Sequence, residues 1–395
     1  MMAENLFSQR ARAIKRSVIG ALKDGVKGDD VISLGEGVPD KAAFPAEELA
    51  VVAEKVLREQ GRDILQYGAV QGYVGLREQL SQLMEQYGIN YGPENIQVTT
   101  GSMQSLELAT KLFLEPGDIV LVEDPTFIDA QNVIRFSGAT VKGIPCDDEG
   151  MNLEILEKTL KSHVNIKAIY VIPDFQNPTG LCWTVERRKA FMELVSKFGV
   201  VVLEDNPYGE LSYTHAPYKG LAHYDQKGQV VFMGSLSKTL SPGMRLGWLA
   251  GAEPIIHMIS LVKEQSDIHS SIPDHVIAAT YMQDYDYKGH VQSMCAMYKK
   301  RLDALANALE EELPEFTFQK PEGGFFIWIS LPDGINDMSF FTAALDEGVL
   351  VIPGTPFLVG VHNKSYIRVN FSGRTEEELV EAVKRMHKAY QNMIK

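Results

Sequence analysis

Five polar or charged side chains stand at the ends of short apolar runs or inside them: Asn177, Asp205, Lys238, Arg245 and Arg368. Lys238 lies in Gly234-Ser235-Leu236-Ser237-Lys238-Thr239-Leu240-Ser241-Pro242-Gly243-Met244-Arg245-Leu246-Gly247, between apolar runs at 230–233 and 246–250. A buried strand that delivers one lysine among hydroxyls predicts a shielded amine. Such an amine loses its proton near neutral pH and can form a Schiff base with a carbonyl compound. A solvated lysine in a polar loop is the plainer alternative. Asp205 ends the run 200–203, and ligands of open α/β sheets sit at the carboxyl ends of strands. Asp205-Asn206-Pro207 is also good turn chemistry. Arg368 sits inside Ile367-Arg368-Val369-Asn370-Phe371, where a charge needs a partner.

Two loops complete the set. Asn177 belongs to Pro173-Asp174-Phe175-Gln176-Asn177-Pro178-Thr179-Gly180, which is a turn signal and makes Asn177-Pro178 a candidate cis peptide. Gly101-Ser102-Met103-Gln104 follows an apolar run and opens a helix. Free N–H groups and the positive end of the helix dipole make such a terminus an anion site, although a capped helix start looks the same. No G-x-G-x-x-G or G-x-x-x-x-G-K-[ST] occurs, so dinucleotide and P-loop readings lose their main support. His269 and His275 flank a short segment without a further ligand cluster, so no metal site is expected.

The elements that must position these residues alternate. Strands are expected at 96–100, 119–122, 140–144, 168–172, 200–203, 230–233 and 246–250, with helices at 102–114, 127–136, 153–160 and 185–198 between them. Near-continuous Val/Ile/Leu runs alternating with helices predict an α/β fold with a mainly parallel sheet flanked by helices. A long helix at 291–313, broken by Pro314, precedes strands at 325–329, 349–352 and 366–369 and a closing helix at 376–394. This second part reads as a smaller α+β domain, joined in space by the N-terminal segment. The expected division is an N-terminal helix and arm at 1–45, a large domain at 46–290 and a small domain at 291–395. The amphipathic pattern at 5–23 suggests a helix that closes over an anionic substrate or simply exposes its cations.

Composition bounds the partners. With 395 residues there is chain for a sizeable core. The formal net charge of −14 argues against nucleic acid and anionic membranes. The first fifteen residues have no apolar signal region, and no run approaches membrane-spanning length. Cys146, Cys182 and Cys295, scattered and odd in number, suit a reducing cytoplasm.

S-x-S-K followed by P-G-x-R-x-G resembles the cofactor-lysine segment of class I/II aminotransferases, the fold-type I enzymes that use pyridoxal 5′-phosphate (PLP). The resemblance runs from Ser33-Leu34-Gly35 to Arg368 and includes N-P-T-G at Asn177. It implies that Lys238 binds PLP covalently and moves a proton from the substrate Cα, with ping-pong kinetics. It implies that Asp205 pairs with the pyridine nitrogen, and that Asn177 and Tyr208 hydrogen-bond the phenolic oxygen. Phe127 would stack on the ring. Gly101, Ser102, Met103, Ser235, Ser237 and Arg245 would cradle the phosphate. Tyr67 would reach the phosphate of the neighbouring subunit in a homodimer, Arg368 would grip the substrate α-carboxylate, and Gly37 would line the substrate entrance.

The spelling S-L-S-K-T-L-S-P-G-M-R-L-G-W and the loop S-L-G-E-G-V-P-D look most like the subgroup of 2-aminoadipate, aromatic and branched-chain aminotransferases. Some members that recognise a distal carboxylate carry an arginine near Ile19-Gly20-Ala21, where this chain is small or apolar. That favours aromatic or aliphatic donors, with 2-oxoglutarate as acceptor. Two alternatives share the scaffold. One is a PLP-dependent lyase; the other is a ligand-sensing domain of a DNA-binding regulator, for which the chain starts too close to the enzyme domain and is too acidic.

Overall fold

The computed structural model describes residues 6–8, 10–11 and 30–394. Most of the expected helix at 5–23, with Ile19, Gly20 and Ala21, lies outside them. After β1 (Ile32–Ser33) come α1 (Ala46–Ile64), α2 (Val74–Met84), β2 (Ile96–Thr100), α3 (Ser102–Phe113), β3 (Ile119–Asp124) and α4 (Ile128–Phe136). They are followed by β4 (Thr140–Asp147), β5 (Gly150–Met151), α5 (Leu153–Ser162), β6 (Ile166–Val171), α6 (Val185–Val195), β7 (Val201–Asn206), β8 (Val230–Ser235) and β9 (Leu246–Ala250). The C-terminal third holds α7 (Glu253–Asp267), α8 (Ile272–Asp284), α9 (Tyr287–Glu312), β10 (Thr317–Phe318) and β11 (Phe326–Ser330). It ends with α10 (Asp337–Asp346), β12 (Val349–Leu350), β13 (Ile352–Pro353), β14 (Tyr366–Asn370) and α11 (Glu376–Ile394).

The large sheet runs β2-β9-β8-β7-β6-β3-β4-β5. Its core is parallel, from β8 through β7, β6 and β3 to β4. β9 is antiparallel to both neighbours. Both faces are covered, which is why the central strands read as continuous apolar runs. Successive side chains along β7 go to opposite faces. Leu203 packs with Tyr170 and with residues of α3, α4 and α7, while Val202 packs with Ile169 and residues of α5 and α6. Each such fully buried aliphatic side chain contributes about 1.5–3 kcal/mol. At the β2 edge the second face continues in α1, α2 and α8, packed on Trp248 and Phe232.

A separate antiparallel sheet, β10-β11-β14-β13, packs with α9, α10 and α11 around its own core. β1 pairs with β12, so the N-terminal segment is tied to this C-terminal part. The apolar run at 349–352, expected as one strand, is two. Val351 separates β12, which pairs with β1, from β13, which pairs with β14. All four residues are buried, so hydrophobicity alone carries no sign of the break. α9 starts four residues earlier than its apolar pattern, because the Asp286 side chain accepts from the Gly289 N–H and caps it. Among the described residues no helix is long and apolar enough to cross a membrane, and no group of His, Cys, Asp and Glu could hold a metal.

Candidate active site

The parallel strands β6, β7 and β8 end on one side of the large sheet, beside β11 and β14 of the smaller one. A cavity of about 300 Å³ lies between them. The loop from β8 to β9 enters it as a tight turn, with Leu240 N–H donating to Leu236 O at 2.9 Å. Leu236 and Leu240 are both buried and anchor one side of that turn in the core. Lys238 projects from it into the cavity, where its Nζ donates to the Gly37 carbonyl at 2.7 Å. Burial, reinforced by the positive charges of Arg368 and Arg245, lowers the Lys238 amine to about 8.

Asp205 arrives from the end of β7. Burial pushes its carboxyl up to about 6, while a hydrogen bond from Tyr170 and the charge of Lys238 oppose the rise. Its Oδ2 accepts from the Tyr170 hydroxyl at 2.6 Å, and its Oδ1 is buried with no hydrogen-bond partner. A buried, orphaned acceptor is rare and calls for a cationic or donor group.

Arg368 comes from β14 on the opposite wall. It is buried, with Nη1 donating to Asn177 Oδ1 at 2.8 Å and Nη2 to Gly35 O at 2.7 Å. Its guanidinium carbon lies 4.2 Å from the Phe326 ring centroid and 5.0 Å from that of Phe357. Burial lowers this arginine to about 10, which leaves it charged at neutral pH. Asn177-Pro178 is a cis peptide, and so is Asp124-Pro125, which was not anticipated. Tyr208, buried, lines the cavity beside Asn177, and burial raises its phenol.

At the other end of the cavity stand Ser102 and Met103, at the first turn of α3, with Ser235, Ser237 and Arg245. The first N–H groups of a helix have no intrahelical acceptor and face outward. Arg245 holds the left-handed conformation, at φ +54°, and its Nη2 donates to Thr100 O at 3.4 Å. Gly101, at φ +79°, lets it do so: a Cβ there would stand 2.4 Å from Arg245 Nη2. A dianionic phosphate suits this corner, with N–H groups, hydroxyls and one fixed cation around it. With the orphaned Asp205 oxygen and the amine of Lys238, the donor set fits PLP.

Gly37 and Phe127 also line the cavity. Gly101 stands behind the wall against Arg245. Tyr67 does not reach this cavity: it is 76% exposed and packs edge-on to His269. Sequence reasoning missed Glu36 and Asp129, which line the cavity, and Tyr170 behind it. Asp129 sits in the first turn of α4, where an acid reads as a partner for the helix dipole.

The family model for aminotransferases of class I and II matches residues 29–386. The aromatic-amino-acid aminotransferase 1 of Thermococcus litoralis is 37% identical over 389 residues, 97% of this chain and 93% of its own. The 2-aminoadipate transaminase of Thermus thermophilus is 31% identical, over 98% and 97% of the two chains. Among solved structures, Pyrococcus horikoshii kynurenine aminotransferase, in complex with PMP, superposes with a TM-score of 0.94. The identity is 37%, and the match covers 100% of this chain and 98% of that one.

Proposed function

The chain belongs to the class I and II aminotransferases, which use pyridoxal 5′-phosphate, and we propose that it transfers the amino group of an aromatic L-amino acid to a 2-oxo acid. The observation that carries the site assignment is the convergence of Lys238, the open oxygen of Asp205 and Arg368 on one cavity. Bound there, PLP supplies an aldehyde for the amine and a ring that withdraws electrons from the substrate Cα.

The rest falls to the chain. Lys238 would hold the cofactor through its amine and, as a free amine, would take the proton from the substrate Cα as general base. Its lowered pKa keeps a share of the amine unprotonated at neutral pH. Asp205 would offer Oδ1 to the ring nitrogen and favour its protonated form. Asn177 and Tyr208 would hold the phenolic oxygen, and Phe127, which lines the same cavity, would pack on the ring. Ser102, Met103, Ser235, Ser237 and Arg245 would hold the phosphate end, with Gly101 making room for Arg245. Arg368 binds the α-carboxylate, its plane fixed by Phe326 and Phe357. Gly37 leaves room at the entrance: a Cβ there would lie 2.7 Å from Phe326 Cζ.

Two observations support an aromatic donor. The described cations of the cavity are Lys238, Arg245 and Arg368, each already assigned. The names of the Thermococcus and Pyrococcus relatives agree with that reading. We place the enzyme in the cytoplasm as a homodimer, in keeping with its three free cysteines and the exposed Tyr67.

An absorbance spectrum of the purified protein, followed by a panel of amino donors, tests the proposal. Aromatic donors are expected to convert the bound cofactor to its amino form fastest, and exclusive use of 2-aminoadipate or aspartate would overturn the assignment. The described lining offers 2-oxoglutarate's distal carboxylate no unassigned cation, so a monocarboxylic 2-oxo acid belongs beside it in the acceptor panel. Lys238→Ala is expected to abolish both the absorbance of the captured cofactor and turnover.

A further inference from the structure

Asp205 reaches the cavity with one oxygen committed and the other open. Strand geometry dictates the pairing. β6 and β7 are parallel, and Tyr170 stands opposite Leu203. Side chains repeat every two residues on one face, so Tyr170, Leu203 and Asp205 project from the same side. The phenol, leaning along the strand, closes the remaining offset and places its hydroxyl 2.6 Å from Asp205 Oδ2. Tyr170 is fully buried in an otherwise apolar run, Ala168-Ile169-Tyr170-Val171-Ile172. A phenylalanine would fill that space without the burden of a buried hydroxyl, which needs a partner of its own.

We propose that Tyr170 is a positioning residue for the cofactor: its hydroxyl occupies Oδ2 of Asp205, fixes the carboxylate's orientation and leaves Oδ1 as the oxygen presented to the ring nitrogen. This rests on the reading that Asp205 meets that nitrogen. An anchored carboxylate pays its ordering entropy during folding, so less is lost when the ring arrives. The bond also keeps Asp205 ionised in a buried place. The groups facing Asp205 are Tyr170 from β6, Lys238 from the loop after β8 and Tyr208 from the turn after β7. Burial favours the neutral acid; Tyr170 and Lys238 oppose it. Tyr170 itself stays protonated, because burial and the carboxylates of Asp205 and Glu123 raise its own pKa well above the ordinary value. It is therefore a donor throughout the working range.

The test is the dissociation constant of PLP for cofactor-free protein, followed by tryptophan fluorescence as pH is varied. Wild type is compared with Tyr170→Phe, Asp205→Asn and the double variant. Tyr170→Phe removes one oxygen and keeps the ring in the sheet. It is expected to bind PLP about tenfold more weakly, with acid-side loss of binding beginning about one pH unit higher. In the Asp205→Asn background the same change is expected to cost less than about twofold, because the partner is gone. Equal losses in both backgrounds, or an unmoved acid-side midpoint, would overturn the inference. Tyr170→Leu, a second variant lacking the hydroxyl, is expected to show the same displaced midpoint; a wild-type midpoint in it overturns the inference as well. If Asp205→Asn alone leaves PLP binding unchanged, the reading of Asp205 falls, which is a separate failure.

Discussion

At the residue scale, Lys238 and Arg368 are two cations that burial treats alike and the proposed chemistry uses differently. Lys238 is lowered from its ordinary value to about 8, so its proton is lost as pH rises through that point. The rate at which cofactor-free protein captures PLP should rise about tenfold per pH unit up to about pH 8 and level off above it. Stopped-flow absorbance checks this, and a profile still climbing towards the ordinary lysine value would contradict a shielded amine. Arg368 stays charged and offers a planar fork that lysine cannot reproduce. Arg368→Lys should lower kcat/KM for every amino donor by about 30-fold or more, equivalent to about 2 kcal/mol or more, without altering the cofactor's absorbance. Both residues are legible in the sequence because a charge inside an apolar run demands a reason. Tyr170 is not. An aromatic in a buried strand reads as core, and its partner lies 35 positions away across a strand pairing.

At the scale of elements, the site depends on a buried ion pair that binds no ligand. Arg188 of α6 donates from Nη2 to Asp174 Oδ1 at 2.7 Å and to the Pro173 carbonyl at 2.9 Å. Its Nε donates to Trp183 O at 3.1 Å, and Asn206 Nδ2, at the end of β7, donates to Asp174 Oδ2 at 3.1 Å. These bonds hold the turn after β6 against α6 and β7, and that turn presents Asn177 to Arg368. Arg188→Met leaves Asp174 buried without its cationic partner, which should cost about 3–5 kcal/mol of stability in urea denaturation. Asp174→Asn combined with Arg188→Met should be less destabilised than the sum of the two single changes. A strictly additive result would show that the two side chains do not act as a pair. The motif P-D-x-Q-N-P-T-G announces a special turn, but nothing in it reveals that its aspartate faces an arginine fourteen residues on.

At the scale of the whole molecule, one chain leaves Tyr67 out of the lining of its own cavity, exposed and edge-on to His269. The proposed homodimer, in which Tyr67 would serve the neighbouring site, would account for that placement. Lys238→Ala and Tyr67→Ala proteins, each impaired alone, should regain activity when unfolded together and refolded. Hybrid dimers then hold one site with both residues intact, and about a quarter of wild-type activity is expected. Failure to regain activity beyond the sum of the two variants would place Tyr67 outside the neighbouring site.

The sequence by itself determined the alternation of strands and helices and the mainly parallel sheet, and it marked Lys238 and Arg368 by their isolation and Asp205 by family resemblance as the residues of the proposed chemistry. Hydrophobic period and isolated charge are local signals that survive without coordinates. Only the tertiary structure decided that the run at 349–352 is divided between two sheets. The same holds for the Tyr170 hydroxyl on Oδ2 of Asp205 and for Glu36 and Asp129 in the cavity lining. Those facts depend on which strands become neighbours and in what register, and pairing across dozens of residues leaves no mark on either partner alone.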